Sequence, residues 1–357
     1  MTLRIGLIGC GFIGRFHASN LRHLVKHQAP IAYQAVCDHS LERARAFAQI
    51  AGCETVTTDA QALIESDALD ALYICTETSG HPQLVEAAAL AGKHVFCEKP
   101  LAKNYHDALR MLQAVENAGV THQVGLVLRF SPVYRVLEDL MKDPDLGPML
   151  AVQLRDDQFF PTRGHYASAW RGDVEKAGGG TLIEHSIHDV DLLSRLVGPI
   201  ERTSCTTRFT SGHKGIEDIA MASLQHAGGV TTHLASVWHG LNDRSSTRRL
   251  EIFFERGWFM TEHDYFGSLT MQRDRGEPVV LSPDEVLNRF MALEGLHQGD
   301  HDLRSLTALG DRRFCEAARA GSAAMPSFHE AVAAHRVVEA CYRSARDAQT
   351  VDVNAVD

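Results

Sequence analysis

The stretch EHSIHDVD, from Glu184 to Asp191, follows a glycine triplet and places three acids and two histidines within eight residues. A carboxylate and an imidazole at this spacing suit proton transfer. On a helix Glu184 and His188 are four apart and share one face, so the acid orients the ring while the ring takes a proton from an alcohol near neutral pH. Leu182, Ile183, Ile187, Val190 and Leu193 recur at helical spacing and predict such a helix. Thr181-x-x-Glu184 also matches a capping box, in which the glutamate only satisfies the first turn. A metal set of Glu184, His185 and His188, with His165 as a fourth ligand, is disfavoured because consecutive helical residues point apart, and no metal is expected. His185, Asp189 and Asp191 read as supporting or helix-surface groups, with His185 also a candidate substrate contact.

A second chemistry sits at the amino terminus. Gly9-Cys10-Gly11-Phe12-Ile13-Gly14 follows an apolar run, opens an amphipathic one, and is succeeded by a second apolar run ending at Asp38. In that setting the first glycine permits a tight turn, the second admits a pyrophosphate, and the third lets helix and strand approach closely. Phe12 and Ile13 belong to the same cradle. Asp38 can accept hydrogen bonds from ribose hydroxyls and would repel a 2′-phosphate, which favours NAD over NADP; His39, Ser40 and Arg43 are the residues that NADP would recruit. Glu98-Lys99-Pro100 punctuates the end of a later strand, where ligands of parallel sheets bind, and places Lys99 to hold a substrate oxygen as it loses its proton. Thr76 ends another strand at the same edge.

The elements that must position these residues are legible. Apolar runs at 3–9, 32–38, 53–58, 69–76, 93–98 and 121–130 alternate with amphipathic helices at 12–27, 41–52, 81–92 and 104–119, the pattern of a doubly wound parallel sheet. Gly52, Gly92 and Gly119 stand where helices end. After residue 130 come β-type runs at 148–156, 201–210, 218–226, 229–240, 247–255, 258–263 and 267–273. Helical stretches follow at 284–293, 300–320 and 327–347, the last opened by a Ser327/Glu330 capping box.

A length of 357 residues with 45% apolar content suits two domains, and a net charge of −10 without basic runs argues against nucleic acid. No run approaches the roughly 20 apolar residues of a membrane span, and the opening MTLRIGLIGCG enters a strand too early for a secretion signal. Eight cysteines without CxxC spacing read as free thiols in a reducing cytoplasm.

The ordered set of GxGxxG, Asp38, Glu98-Lys99-Pro100 and GGG leading to an acid and His188 resembles the glucose-fructose oxidoreductase, inositol dehydrogenase and MocA family, over nearly the whole chain. The resemblance implies a Rossmann NAD domain, set at 1–122, and a second domain at 123–357 built on a large, mostly antiparallel sheet that binds substrate and carries the oligomer contacts of a homodimer or homotetramer. It implies NAD-dependent hydride transfer at a secondary alcohol of a sugar, polyol or inositol-like substrate, with Lys99, Glu184 and His188 acting together. Glu184 stands where the family usually has aspartate, and Thr76-Glu77-Thr78 where it often has Thr-Pro-Asn. Arg129 with Phe130 resembles the family's Arg-aromatic pair, and the loop 157–180 offers Tyr166, Trp170 and Arg171 as substrate contacts. A glycosidase that reduces and reoxidises NAD within one cycle, and a nucleotide-sensing binding protein, are the alternatives.

Overall fold

The computed structural model describes residues 2–164, 167–241, 244–296 and 303–356. They form two units, one of residues 1–126 with 298–332 and one of residues 127–297 with 333–357.

The first unit is a six-stranded parallel sheet: β1 (Leu3–Ile8), β2 (Ile31–Cys37), β3 (Thr55–Thr57), β4 (Ala71–Ile74), β5 (His94–Cys97) and β6 (His122–Val124), ordered β3-β2-β1-β4-β5-β6. Its inner strands are buried on both faces, so they read as continuous apolar runs rather than alternation; all four residues of β4 are buried. The crossovers are α1 (Phe12–Lys26), α2 (Leu41–Ala51), the short α3 (Ala60–Ile64), α4 (His81–Leu90) and α5 (Tyr105–Ala118). α1 turns His17, Ala18, Leu21 and Leu24 inward, one stripe of an amphipathic helix. Ser40 and Asn104 cap α2 and α5. Gly52 and Gly119 end them in left-handed conformation, as expected from the sequence.

The second unit holds α6 (Pro132–Leu140), β7 (Met149–Phe159), α7 (Val174–Ala177), α8 (Thr181–Glu184), α9 (Ile187–Leu196), β8 (Ile200–Arg208), β9 (Ile219–His226), β10 (Thr231–His239), β11 (Thr247–Phe254), β12 (Gly257–Thr261), β13 (Leu269–Arg273), β14 (Val279–Leu281) and α10 (Pro283–Glu294). Nine strands form one sheet ordered β14-β13-β12-β11-β7-β10-β9-β8-β15, where β15 is Val351–Asp352. Every pair is antiparallel except β7 with β10. Burial alternates along β9 and β10, so one face is covered and the other is not.

Three expectations are corrected. The sixth strand was expected over 121–130, but β6 ends at Val124 and Arg129 lies in a 3-10 turn, Val127–Phe130. The second domain was expected to run unbroken from 123 to 357, but 298–332 belongs with the first unit. That stretch carries α11 (Leu303–Thr307) and α12 (Leu309–Ala320), and Phe314, Cys315, Ala317 and Ala318 of α12 fill the same core as Leu3, Ile5, Tyr73 and Phe96. A helix distant in sequence thus completes the covering of the parallel sheet; α13 (Phe328–Asp347) follows it, with Glu330 accepting from the Ser327 amide. Finally, the helix expected through Glu184 and His188 is interrupted between α8 and α9, where the amides of both His185 and Ser186 reach the Thr181 carbonyl. This is a widened turn, a feature frequent where a helix must re-aim side chains.

Candidate functional site

In the first unit the carboxyl ends of adjacent strands are tied edge to edge. The Gly9 amide donates to Cys37 O, Cys75 N to Ile8 O, and Glu98 N to Ile74 O. This places the glycine turn, Asp38, Thr76 and Lys99 along one edge, where a doubly wound sheet binds its ligand. Gly9 has φ 105° and lies so close to β4 that a Cβ there would meet Cys75 O at 2.4 Å. At Gly14 a Cβ would meet the Gly9 carbonyl at 2.1 Å, whereas at Gly11 it would meet nothing within 4 Å. Two glycines are therefore demanded by the fold and the middle one is not. No side chain caps α1 at Gly11, the condition for an anion to take the cap's place.

Asp38 is buried, and its Oδ2 accepts the Cys10 amide (3.0 Å) and its Oδ1 the Ser40 amide (2.9 Å). Two carboxylate oxygens have capacity for further donors, so ribose hydroxyls fit beside these amides. Arg43 and His39 each stand 3.5 Å from Oδ1. The turn, the open Gly11 and Asp38 are the residues that would hold NAD.

The Glu98-Lys99-Pro100 turn is held by groups that sequence reading missed. Glu98 Oε2 accepts the Lys99 amide (3.0 Å), and its Oε1 faces His17 Nε2 at 2.9 Å. His17 Nδ1 faces Asp311 Oδ1 at 2.7 Å, and Asn20 Nδ2 donates to Asp311 Oδ2 at 2.7 Å. Burial works against the charge on His17, but Asp311 and Glu98 outweigh it and raise the ring to about 10. Burial likewise pushes Glu98 up, yet its hydrogen bond and charge interaction with His17, with Lys99 adding, hold it below the usual carboxylate range. The one signal in the sequence was a histidine on the inward face of α1, three residues after Gly14. His81 opens α4, and its ring lies between Thr76 O (3.2 Å) and Pro100 O (3.1 Å).

In the second unit the GGG stretch enters α8 against Glu217, which sequence reading also missed. Its carboxylate accepts the amides of Gly180 (2.7 Å) and Leu182 (2.9 Å) and the Tyr342 hydroxyl (2.9 Å). The backbone of Glu217 lies so close that a Cβ at Gly180 would meet its carbonyl oxygen at 1.8 Å. The capping-box alternative for Glu184 is thereby corrected: no side chain at Gly180 or Thr181 caps α8, and a distant carboxylate serves its first turn. Thr181 Oγ1 instead pairs with Ser236 Oγ at 2.7 Å.

Glu184 turns to Arg171, whose Nε donates to its Oε2 at 3.0 Å; the Glu184 side chain is 1% exposed. Arg171 also lies over the Trp170 ring, 4.7 Å from its centroid. Trp170 packs on a small core of Phe160, Ala177, Ile216 and Trp238, so the loop is anchored beside the acid. His188 is buried in α9. His185 Nε2 meets Asp156 Oδ2 at 2.8 Å, and Arg248 bridges Asp156 and Asp189 at 2.6 Å each. Asp189 is fully buried and pushed up to about 8, by burial first and by Asp156 beside it. Arg129 clasps Asp191 with Nε and Nη2, at 2.8 and 2.6 Å. Tyr166 and His165 lie outside the described residues. Among the described residues no group of three or more His, Cys, Asp or Glu is arranged to hold a metal ion, and no helix is long and apolar enough to cross a membrane.

A six-stranded parallel sheet with this glycine turn and carboxylate, joined in one chain to a nine-stranded mixed sheet, defines a two-domain dinucleotide-binding protein. The chain belongs to the Gfo/Idh/MocA family: residues 3–126 match its oxidoreductase NAD-binding Rossmann fold and residues 134–260 its C-terminal domain. It is 33% identical over 198 residues to the myo-inositol 2-dehydrogenase of Thermotoga maritima, a match covering 55% of each protein, so it spans about half the length of that relative. It is 27% identical over 365 residues to the inositol 2-dehydrogenase of Rhizobium meliloti, covering 99% of this chain and all of that one. A solved levoglucosan dehydrogenase in complex with NADH and levoglucosan shares the fold, with a TM-score of 0.88 at 22% identity over 99% of this chain and 100% of that one.

Proposed function

We propose that the protein catalyses reversible hydride transfer between NAD and a secondary alcohol of a sugar, polyol or inositol-like compound. One observation carries this reading: the lysine turn stands on the same strand-end edge as the glycine turn and Asp38, two strands along the hydrogen-bonded order from β1. NAD, when bound, supplies the hydride acceptor. Lys99 holds the substrate oxygen and stabilises the negative charge that develops on it. His188 accepts the hydroxyl proton, with Glu184 as the acid of the same segment. Arg129, Tyr166, Trp170, Arg171 and His185 contribute to substrate contact. The names of the inositol dehydrogenases among the relatives support the substrate class.

The test is the absorbance of reduced nicotinamide when purified protein and NAD meet a panel of inositols, aldoses and polyols. Turnover on at least one supports the reading. Tight NADH binding with no turnover on any would sink it, and cleavage of a glycoside without net NADH would replace it with internal redox. We further infer a cytoplasmic homo-oligomer. All eight cysteines are free, seven of them buried, which suits a reducing compartment, and the outer positions of β9 and β10 are not covered within the chain, which supports a partner copy on that face. Light scattering of the purified protein reads the oligomer directly.

A further inference from the structure

We propose that His17 is a positioning residue for Lys99, acting as a buried imidazolium that fixes the Glu98 carboxylate on which the Lys99 backbone hangs. The inference rests on the function proposed above for Lys99, but its geometry stands by itself. Both ring nitrogens of His17 face carboxylate oxygens, at 2.9 Å from Glu98 and 2.7 Å from Asp311. A neutral imidazole has one donor and one acceptor nitrogen, so only the charged ring can donate to both. The remaining oxygens are themselves engaged as acceptors, Glu98 Oε2 by the Lys99 amide and Asp311 Oδ2 by Asn20. A proton on either acid could then lie only on the oxygen that faces the ring, and the two carboxylates that raise His17 favour its place on the ring.

The surroundings remove the freedom that the carboxylate would otherwise have. A Cβ at residue 125 would meet Glu98 Oε1 at 2.4 Å, so glycine there is what admits the acid. The His17 ring is flanked by Phe96 and Tyr73, with centroids at 4.8 and 5.4 Å, and by the apolar face of α12 behind Asp311. Glu98, His17 and Asp311 are each at most 5% exposed. Loss of the ring's charge would leave Glu98 buried without its cation, and such a carboxylate either takes up a proton or swings away. Either response loosens the acceptor of the Lys99 amide. The helix that begins at the dinucleotide turn is thus coupled, through one ring, to the turn that carries the lysine.

A purely structural ion pair would change stability without singling out Lys99. The experiment uses the full chain and compares wild type with His17→Gln by two measurements. In amide hydrogen exchange, the Lys99 amide should exchange at least about tenfold faster in the variant, while Val95 and Phe96 of β5 keep their protection. In turnover of an alcohol that the wild type oxidises, kcat should fall about tenfold or more, with KM for the alcohol and Kd for NADH within about threefold. Unchanged Lys99 protection, or a kcat within about twofold of wild type, overturns the proposal. If the wild type oxidises no alcohol, the proposed function fails, and the exchange measurement still decides the role of His17. If His17→Gln does not fold, Asp311→Asn withdraws one carboxylate from the ring: an exchange rate at Lys99 raised about threefold or more supports the coupling, and no change overturns it.

Discussion

Arg171 and Glu184 form an ion pair in which Arg171 Nε donates to Glu184 Oε2 at 3.0 Å, with the acid side chain 1% exposed and the arginine stacked on Trp170. Glu184 is therefore paired with a residue 13 positions earlier in the chain. Arg171→Leu leaves a buried carboxylate without this cation and should lower unfolding stability by about 1–3 kcal/mol. Urea denaturation measures it. The double variant with Glu184→Gln should recover part of the loss, with a coupling of about 1 kcal/mol between the two sites.

The three glycines of the first turn should separate on substitution. Gly14→Ala drives a methyl into the Gly9 carbonyl and should lower the melting temperature by several degrees, roughly the effect of 1–3 kcal/mol of overpacking. Gly11→Ala meets no protein atom within 4 Å, so the fold should keep its melting temperature while NADH affinity falls about tenfold or more, because the methyl occupies the approach of the pyrophosphate. Thermal melts beside NADH fluorescence titrations tell the two apart. Equal melting losses in both variants would contradict the assignment.

Asp38→Ser should erode the preference for NAD over NADP by about tenfold or more, since the carboxylate that repels a 2′-phosphate is removed while Arg43 and His39 remain in place. The ratio of dissociation constants for NADH and NADPH is the measurement. An unchanged ratio would move cofactor choice elsewhere.

Asp189 gives the second unit a dependence on pH. Burial first, then Asp156, raises it to about 8, against the opposing pull of Arg248 and His185. Its unfolded value lies near about 4, so the folded state holds a proton that the unfolded chain releases across that window. The stability from this group is fully present below about pH 4 and is lost as pH rises through 8, at up to about 1.4 kcal/mol per pH unit. Asp189→Asn should flatten that decline, because an amide can donate to Asp156 and accept from Arg248 without ionising. Urea midpoints at pH 5 and pH 8 for both proteins test it; parallel declines would remove Asp189 as the source.

What could be read in advance was local and periodic. β1 and its glycine turn, a second strand reaching Asp38, and the helix ends at Gly52 and Gly119 follow from spacing within a dozen residues. The β-runs of the second unit were legible for the same reason, since alternation along β9 and β10 records a half-buried sheet. The extent of β6 was overcalled because Gly125 to Arg129 are apolar enough to resemble a strand, while the backbone there turns into a 3-10 segment.

The amino-acid order alone determined the parallel sheet, the dinucleotide turn and the identity of the groups that could do chemistry, because hydrophobic period and turn chemistry act between near neighbours. Tertiary structure decided which groups meet. Glu217 serves the amide of Leu182 from 35 residues away, and Asp311 meets His17 across 294. Such pairings depend on where whole elements are carried by packing, and a charge buried with its partner leaves no period along the chain by which to find it.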